Sequence, residues 1–351
     1  MKRITFVVAN MSGGGTERVI ANLSNEMVKR GYKITILLTA GSVVDYPLHE
    51  DITVSSLGNP TGGKIGKKLE RIGKLRAYYK NNPDTTILSF GIETNIYAVI
   101  ASLGLKSKIV ISERNDPNQC KYKLIRNVVY SGADKFVFQT PDAMKCFSKK
   151  IQSRGRVIVN PLKDNLPNPH DGEERKKIVV AVGRLTAQKN HRLLISAFRN
   201  FSINYPEYRL MIYGQGELGS ELQRQINDLG LEEKVILAGF SSNVLEKIQS
   251  CKMYVLSSDY EGMSNSLMEA MAMGVPVIST DCPIGGSAML IRNLENGILV
   301  PVGDVDAMVE AMTKVAENTS LCEKLAGNGL TVRVEYAIDK ICSEWLQFIE
   351  E

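Results

Sequence analysis

Short, β-branched apolar runs recur along the chain, separated by stretches whose apolar residues return every three or four positions. In the first half these runs are Ile4–Ala9, Lys33–Thr39, Ile52–Leu57, Thr85–Phe90, Lys108–Ser112 and Lys135–Phe138, with amphipathic stretches such as Glu17–Arg30 and Asn95–Leu103 between them. A segment rich in Pro and Asn follows, from Asn160 through Pro161, Pro167 and Pro169 to Gly172. The runs then resume at Lys177–Val182, Arg209–Tyr213, Lys234–Leu237, Met253–Leu256 and Val275–Ser279. Apolar strands alternating with helices predict parallel sheets covered on both faces. The Pro-rich segment predicts a hinge between two such bodies, 1–165 and 166–334. A ligand is expected at the carboxyl ends of the strands, in a cleft between the lobes.

Composition narrows the class. A chain of 351 residues suits about two domains, and 44% apolar with 23% charged residues excludes a largely disordered polypeptide. No apolar run approaches the roughly 18 residues of a spanning helix. Met1-Lys2-Arg3 leads directly into a strand with no signal-peptide core, so a cytoplasmic protein is expected. Cys120, Cys146, Cys251, Cys282, Cys322 and Cys342 form no C-x-x-C pair and read as free thiols. Through Asn165 there are 26 Lys/Arg against 13 Asp/Glu, and the remainder carries 17 against 25. A basic half and an acidic half predict different partners, the basic one suited to anionic surfaces.

Four loops after predicted strands carry chemistry suited to anions and hydroxyls. Ser12-Gly13-Gly14-Gly15-Thr16-Glu17-Arg18 could let backbone amides approach a phosphate at a helix N-terminus, or could simply turn the chain. Gly183-Arg184-Leu185-Thr186-Ala187-Gln188-Lys189-Asn190 brings a guanidinium and an ammonium to one strand end, and a diphosphate matches both. A lysine at a helix N-terminus is otherwise unfavourable, so an anionic ligand accounts for it better than a solvated helix start. Gly214-Gln215-Gly216-Glu217-Leu218-Gly219 matches G-x-G-x-x-G formally, but Glu232 and Glu233 precede the next strand instead of ending it, which argues against a dinucleotide site.

The fourth loop is the most specific. In Glu261-Gly262-Met263-Ser264-Asn265-Ser266-Leu267-Met268-Glu269 two carboxylates flank a helix N-terminus, and Glu269 falls on an otherwise apolar helix where an unpaired charge is costly. Carboxylates grip paired hydroxyls such as those of a ribose. Asp304-Val305-Asp306 opens a helix and reads as an N-cap, not as a metal motif, and no metal site is expected.

From Gly13-Gly14-Gly15-Thr16-Glu17-Arg18-Val19 to Trp345 the chain resembles the retaining glycosyltransferases of family 4, which have the GT-B fold. The strongest parts are Gly183-Arg184-Leu185 with Lys189-Asn190, the Glu261…Glu269 pair, and Asn296-Gly297-Ile298-Leu299-Val300-Pro301. Within the family, the stretch from Glu261 to Pro283 is similar to enzymes of bacterial capsule, exopolysaccharide and O-antigen assembly. The resemblance implies two Rossmann-like βαβ domains facing each other across a cleft, with a C-terminal helix at about 335–351 packed back on the first. It implies a nucleotide-sugar donor, UDP-linked, with no resident cofactor or metal, and a saccharide or polyprenyl-diphosphate-linked acceptor. Arg184 and Lys189 would bind the donor diphosphate and act catalytically with Glu261. Glu261 and the backbone of Gly262, Met263, Ser264, Asn265, Ser266 and Leu267 would contact sugar and β-phosphate, and Glu269 the ribose. Gly14 and Gly15 would approach the donor from the first lobe, with Phe240 and Ser241 near the base. The family often carries a histidine after a Glu in the first lobe; here Glu113 is followed by Arg114, so Arg114 occupies that place, and Arg114 and Glu113 would contact the acceptor or the sugar. His49, His170 and His191 match no such position and read as structural or surface residues.

In Lys64–Lys80, Ile65, Leu69, Ile72, Leu75 and Tyr79 keep helical spacing among basic residues. The stretch is either an ordinary domain helix or a surface for anionic lipid through Lys64, Lys67, Lys68, Arg71 and Lys74, which would place the protein on the cytoplasmic face of a membrane. Three rivals remain open. A polyphosphate or nucleic-acid binder leaves Glu261 and Glu269 unexplained and lacks interleaved aromatics; an NAD-dependent oxidoreductase rests on the weak third loop; a sugar-nucleotide 2-epimerase of the same fold would need no acceptor.

Overall fold

The computed structural model describes residues 2–351. The chain divides into two compact units, residues 1–163 with 336–351, and residues 164–335.

The first unit holds β1 (Arg3–Val8), β2 (Lys33–Leu38), β3 (Thr53–Ser56), β4 (Thr85–Phe90), β5 (Lys108–Ser112), β6 (Lys135–Phe138) and β7 (Gly155–Val157). They form one sheet in the order β3-β2-β1-β4-β5-β6-β7, parallel throughout. The central strands are apolar on both faces because helices cover both, which is why β1 and β4 read as near-continuous hydrophobic runs. The C-terminal helix Ile338–Glu350 belongs to this unit. Trp345, fully buried, stacks on Phe90 with ring centroids 5.9 Å apart, and Lys135 donates to the Phe348 carbonyl at 2.6 Å.

The second unit repeats the plan with β8 (Lys176–Val182), β9 (Arg209–Tyr213), β10 (Val235–Gly239), β11 (Cys251–Leu256), β12 (Val277–Thr280) and β13 (Ile298–Val300), ordered β10-β9-β8-β11-β12-β13. β7 and β13 are absent from the apolar pattern, each being only three residues long.

In both sheets the first strand of the unit lies beside the fourth, so strand order reverses there. The loops that follow those two strands diverge to opposite faces and leave a crevice at the carboxyl edge. In the second unit those loops are 183–190 and 257–264; in the first, the loop after β1 carries Gly13, Gly14 and Gly15. Among the described residues no helix is long and apolar enough to cross a membrane. All six cysteines are free, five of them buried.

Candidate functional site

In the second unit the two loops at the point of reversal are laced together. Ser257 Oγ donates to the Lys189 carbonyl at 3.0 Å, Gln188 Nε2 to the Tyr260 carbonyl at 3.1 Å, and Asn190 Nδ2 to Asp259 Oδ1 at 2.7 Å. Asn190 adopts a left-handed backbone (φ 41°) and caps the helix His191–Asn204, accepting from the Leu193 amide at 3.2 Å. This fixes the turn Ala187–Lys189, and Lys189 Nζ donates to Glu261 Oε1. Ser258 Oγ donates to the same carboxylate oxygen at 2.8 Å. The Lys189 and Glu261 side chains are 13% and 9% exposed, so the pair is held almost out of water. The sequence led us to expect an external anion for Lys189; the structure gives it an internal one, Glu261, from the facing loop. Arg184 is exposed and has no carboxylate partner among the described residues, leaving a cation available at the end of β8.

Glu269 lies in the helix Asn265–Ala272, where it is buried at 4% exposure, and not in a solvated face. The start of that helix is pinned to the ends of β8 and β11: Ser266 Oγ donates to the Val182 carbonyl at 3.2 Å and accepts from Tyr254 Oη at 2.8 Å. Burial raises the Tyr254 phenol, and Glu261 and Glu269 add to that as neighbouring negative charges. Ser264 is the N-cap, accepting from the Leu267 amide at 3.4 Å. Leu267, fully buried and with its amide spent on that cap, is a core residue and offers a ligand nothing. Gly262, Met263 and Ser264 are buried, and Asn265 and Ser266 partly so. Gly262 is packed so tightly that a Cβ on Gly286 would sit 1.5 Å from its carbonyl oxygen.

The Gly214–Gly219 loop has a role that the formal dinucleotide match does not describe. A Cβ at Gly214 would lie 1.9 Å from the Gly183 carbonyl oxygen, and Leu185 donates its amide to the Gln215 carbonyl at 3.0 Å. The glycines let this loop support the one bearing Arg184. Between them opens a recess of about 540 Å³ lined by Leu185, Gly214, Gln215, Gly216, Leu237 and Gly239, among others. Phe240 follows Gly239 and is 75% exposed, while Ser241 donates to Asn243 Oδ1 at 2.8 Å. Leu185 and Gly239, which line it, are the chain neighbours of Arg184 and Phe240, the residues that the sequence singled out, whereas its glycine walls read in the sequence only as a weak dinucleotide match. His191 begins the helix beneath the Arg184–Lys189 loop. Burial, and then the Lys189 charge, push its imidazole down to about 4, so it is neutral there, facing the backbone of Gly183 and Arg184.

The first unit contributes a separate cluster. Tyr46 Oη donates to the Gly14 carbonyl at 2.7 Å, holding the glycine turn, with Gly15 exposed at the start of the helix Gly15–Lys29. Glu113 is turned inward, 3% exposed, accepting from Tyr130 Oη at 2.5 Å and Asn95 Nδ2 at 3.4 Å. Burial raises its carboxyl, and it braces the loop without presenting itself to a ligand. Arg114 instead lies over the Phe90 ring, 5.9 Å from its centroid, and donates to Asn160 Oδ1. No carboxylate among the described residues pairs with it, its Nε finds no acceptor, and burial lowers its guanidinium to about 9. Asp304 caps the helix Val305–Glu317 through the Ala307 amide at 2.9 Å.

Residues 163–331 match the family model described as glycosyl transferases group 1. Over 361 aligned residues the chain is 27% identical to a Campylobacter jejuni GalNAc-alpha-(1->4)-GalNAc-alpha-(1->3)-diNAcBac-PP-undecaprenol alpha-1,4-N-acetyl-D-galactosaminyltransferase, covering 100% of this chain and 99% of that protein. It is 23% identical to the Erwinia amylovora amylovoran biosynthesis glycosyltransferase AmsD, covering 98% and 99%. Among solved structures it is similar to Anabaena HepE in complex with UDP and glucose, with a TM-score of 0.88 at 19% identity, and to S. aureus TarM, with 0.83 at 14%, each over the full length of both chains. These likenesses show the fold: two parallel sheets with covering helices, the GT-B class expected from the sequence.

Proposed function

We propose that this chain, whose residues 163–331 match the model described as glycosyl transferases group 1 and which is similar to glycosyltransferases along its whole length, moves a hexose-type sugar from a UDP-sugar to a hydroxyl of a saccharide or polyprenyl-diphosphate-linked acceptor, with retention at the anomeric carbon. The relatives named for an undecaprenol-linked glycan and for amylovoran support an acceptor in bacterial surface polysaccharide assembly. The observation that carries the reading is the nearly buried Lys189–Glu261 pair at the carboxyl ends of β8 and β11, with an exposed Arg184 in the same loop as Lys189.

In this reading the uracil and ribose occupy the recess near Phe240, Glu269 serves the ribose end, and the diphosphate lies against Arg184 and Lys189. The bond from the anomeric carbon to the β-phosphate oxygen breaks, the acceptor oxygen bonds to that carbon on the same face, and its proton passes to the departing phosphate. Negative charge growing on that phosphate meets these two cations, and one such contact contributes about 3–4 kcal/mol at a transition state. Those cations make a resident metal unnecessary. Within the first unit, Arg114, which no carboxylate among the described residues compensates, is the candidate for a contact with sugar or acceptor.

Calorimetry against UDP, GDP, ADP and NAD, followed by product analysis with and without a lipid-linked acceptor, tests this. UDP binding, with a glycosylated product formed only when acceptor is present, is expected. Preference for NAD, or sugar-nucleotide turnover without acceptor, overturns it.

A further inference from the structure

The helix Lys123–Tyr130 has two unlike faces. Its inner face is locked: Arg126 donates to the Pro117 carbonyl at 2.7 Å and lies over Phe147 at 4.5 Å, and Tyr130 is bonded to Glu113. Its outer face is bare and apolar, with Leu124 83%, Ile125 58% and Val128 73% exposed. Tyr122, just before the helix, is exposed as well, and Lys68 Nζ lies 6.0 Å from its ring centroid. That contact joins the patch to the start of the helix Lys64–Asn81, where Ile65 and Leu69 are 75% and 64% exposed. The apolar stripe of that helix is therefore split. Leu75 and Tyr79 face the core, whereas Ile65 and Leu69 face outward beside exposed Lys64, Lys67 and Lys68. Of the basic residues that the sequence offered to lipid, Lys74 is engaged with Glu70 and the Leu57 carbonyl and Arg71 is half-buried, so neither belongs to this surface.

We infer that Leu124, Ile125 and Val128, with Tyr122, Ile65 and Leu69, insert into the interface of an anionic lipid bilayer while Lys64, Lys67, Lys68, Lys121 and Lys123 bind its headgroups. The charge pattern selects this occupant. Residues 121–130 contain three cations and no acid, and 64–69 contain three cations and no acid; a protein partner would have to be acidic and apolar at once. Exposed apolar side chains ringed by lysine stems match an interfacial anchor, whose binding adds apolar burial to attraction for anionic lipid. The inference deepens the proposed reading, since a membrane-borne acceptor would be met at this surface. The inner face of the same helix holds, through Tyr130 and Glu113, the loop that carries Arg114.

Vesicle flotation of the full chain, without donor or acceptor, tests the surface separately from the transfer activity. Binding to phosphatidylglycerol vesicles, weaker binding to pure phosphatidylcholine, and about a tenfold or greater loss in the double variant Leu124→Ser/Val128→Ser are expected. Both positions are so exposed that the variant should melt like the parent. Leu124→Trp supplies a second readout, because Trp345 is the chain's single tryptophan and is buried. The emission of the introduced indole should shift to the blue on anionic vesicles and be quenched by brominated lipid. Absence of vesicle binding, equal binding by the double variant, or an unshifted emission from Leu124→Trp overturns the inference. So does a double variant that loses only self-association in ultracentrifugation, which would make the patch a contact between copies.

Discussion

Removing the ammonium of Lys189 separates what the Lys189–Glu261 pair does for the fold from what it does for a ligand. In Lys189→Met the Glu261 carboxylate keeps the Ser258 hydroxyl but loses the cation that pairs with it, at a site where its side chain is 9% exposed. Stranding one member of a buried ion pair costs about 3–5 kcal/mol. The residual exposure and the retained hydroxyl put this case near the lower end, about 3 kcal/mol. The double variant Lys189→Met/Glu261→Gln leaves no buried charge and keeps an amide that can accept from Ser258, so most of that loss should return. Nucleotide binding should behave differently. Each lost charge-assisted hydrogen bond to a diphosphate weakens binding by about 10–100-fold, and the double variant cannot restore it.

Amide exchange read on the β8 and β11 segments is the suitable assay, since Trp345 lies in the first unit and its fluorescence follows the other sheet. A loss of about 3 kcal/mol accelerates exchange through opening of the second unit by about a hundredfold. UDP at a hundred times the parent's Kd should slow exchange in the parent by a similar factor, about 2.7 kcal/mol, and in either variant by only about 2–11-fold. A Lys189→Met variant that exchanges like the parent, a double variant no better than the single, or equal protection of all three by UDP would show that the pair does not have these roles.

Three further outcomes follow from individual residues. His191 titrates near 4 when folded against about 6.5 when unfolded. The unfolded chain therefore takes up the proton first, and this residue costs the fold about 3 kcal/mol as pH falls from 6.5 to 4, with no effect above that window. His191→Gln should flatten that part of the acid-stability curve, and an unchanged curve refutes the assignment. Gly286→Ala should destabilise the second unit by about 2–3 kcal/mol and lower turnover, because its Cβ meets the Gly262 carbonyl beside Glu261; a fully stable, fully active variant contradicts the packing. Arg114→Met keeps the contact over Phe90 and removes a cation that no carboxylate compensates, so the melting temperature should hold or rise while transfer falls at least about tenfold; a less stable but fully active enzyme shows the reverse.

Strand positions were legible because parallel strands buried on both faces leave unbroken apolar runs, as β1, β4 and β11 do. β7 and β13 were not, since three residues are too few to set a period. Lys189 and Glu261 were each legible as charges at strand ends, but not as partners. Their pairing spans 72 residues and exists because β8 and β11 are neighbours in the sheet. Glu113 misled for the same reason, as the Tyr130 and Asn95 that draw it inward lie 17 and 18 residues away in opposite directions. A charged residue after a strand looks the same in sequence whether it faces a ligand or a neighbouring helix.

The glycines of the third loop show how a motif can be physically correct and chemically misleading. G-x-G-x-x-G marks places where backbone must come close to something, and in a dinucleotide site that something is a pyrophosphate. At Gly214 and Gly216 it is the backbone of Gly183 and Leu185. The steric requirement is satisfied inside the protein, and its consequence appears one loop away, where the supported segment presents Arg184 and Lys189. In the proposed function the anion-binding role therefore passes from glycine amides to cationic side chains. The acidic residue of a dinucleotide fingerprint is likewise missing from the end of β10, while in the proposed reading the carboxylate for a ribose, Glu269, comes from the helix after β11. A side chain added at Gly216 should therefore impair diphosphate binding through displacement of Leu185 and Arg184, although Gly216 itself does not contact the phosphates in the proposed reading. Gly216→Ala with a UDP affinity equal to the parent's would show that the two loops do not support each other.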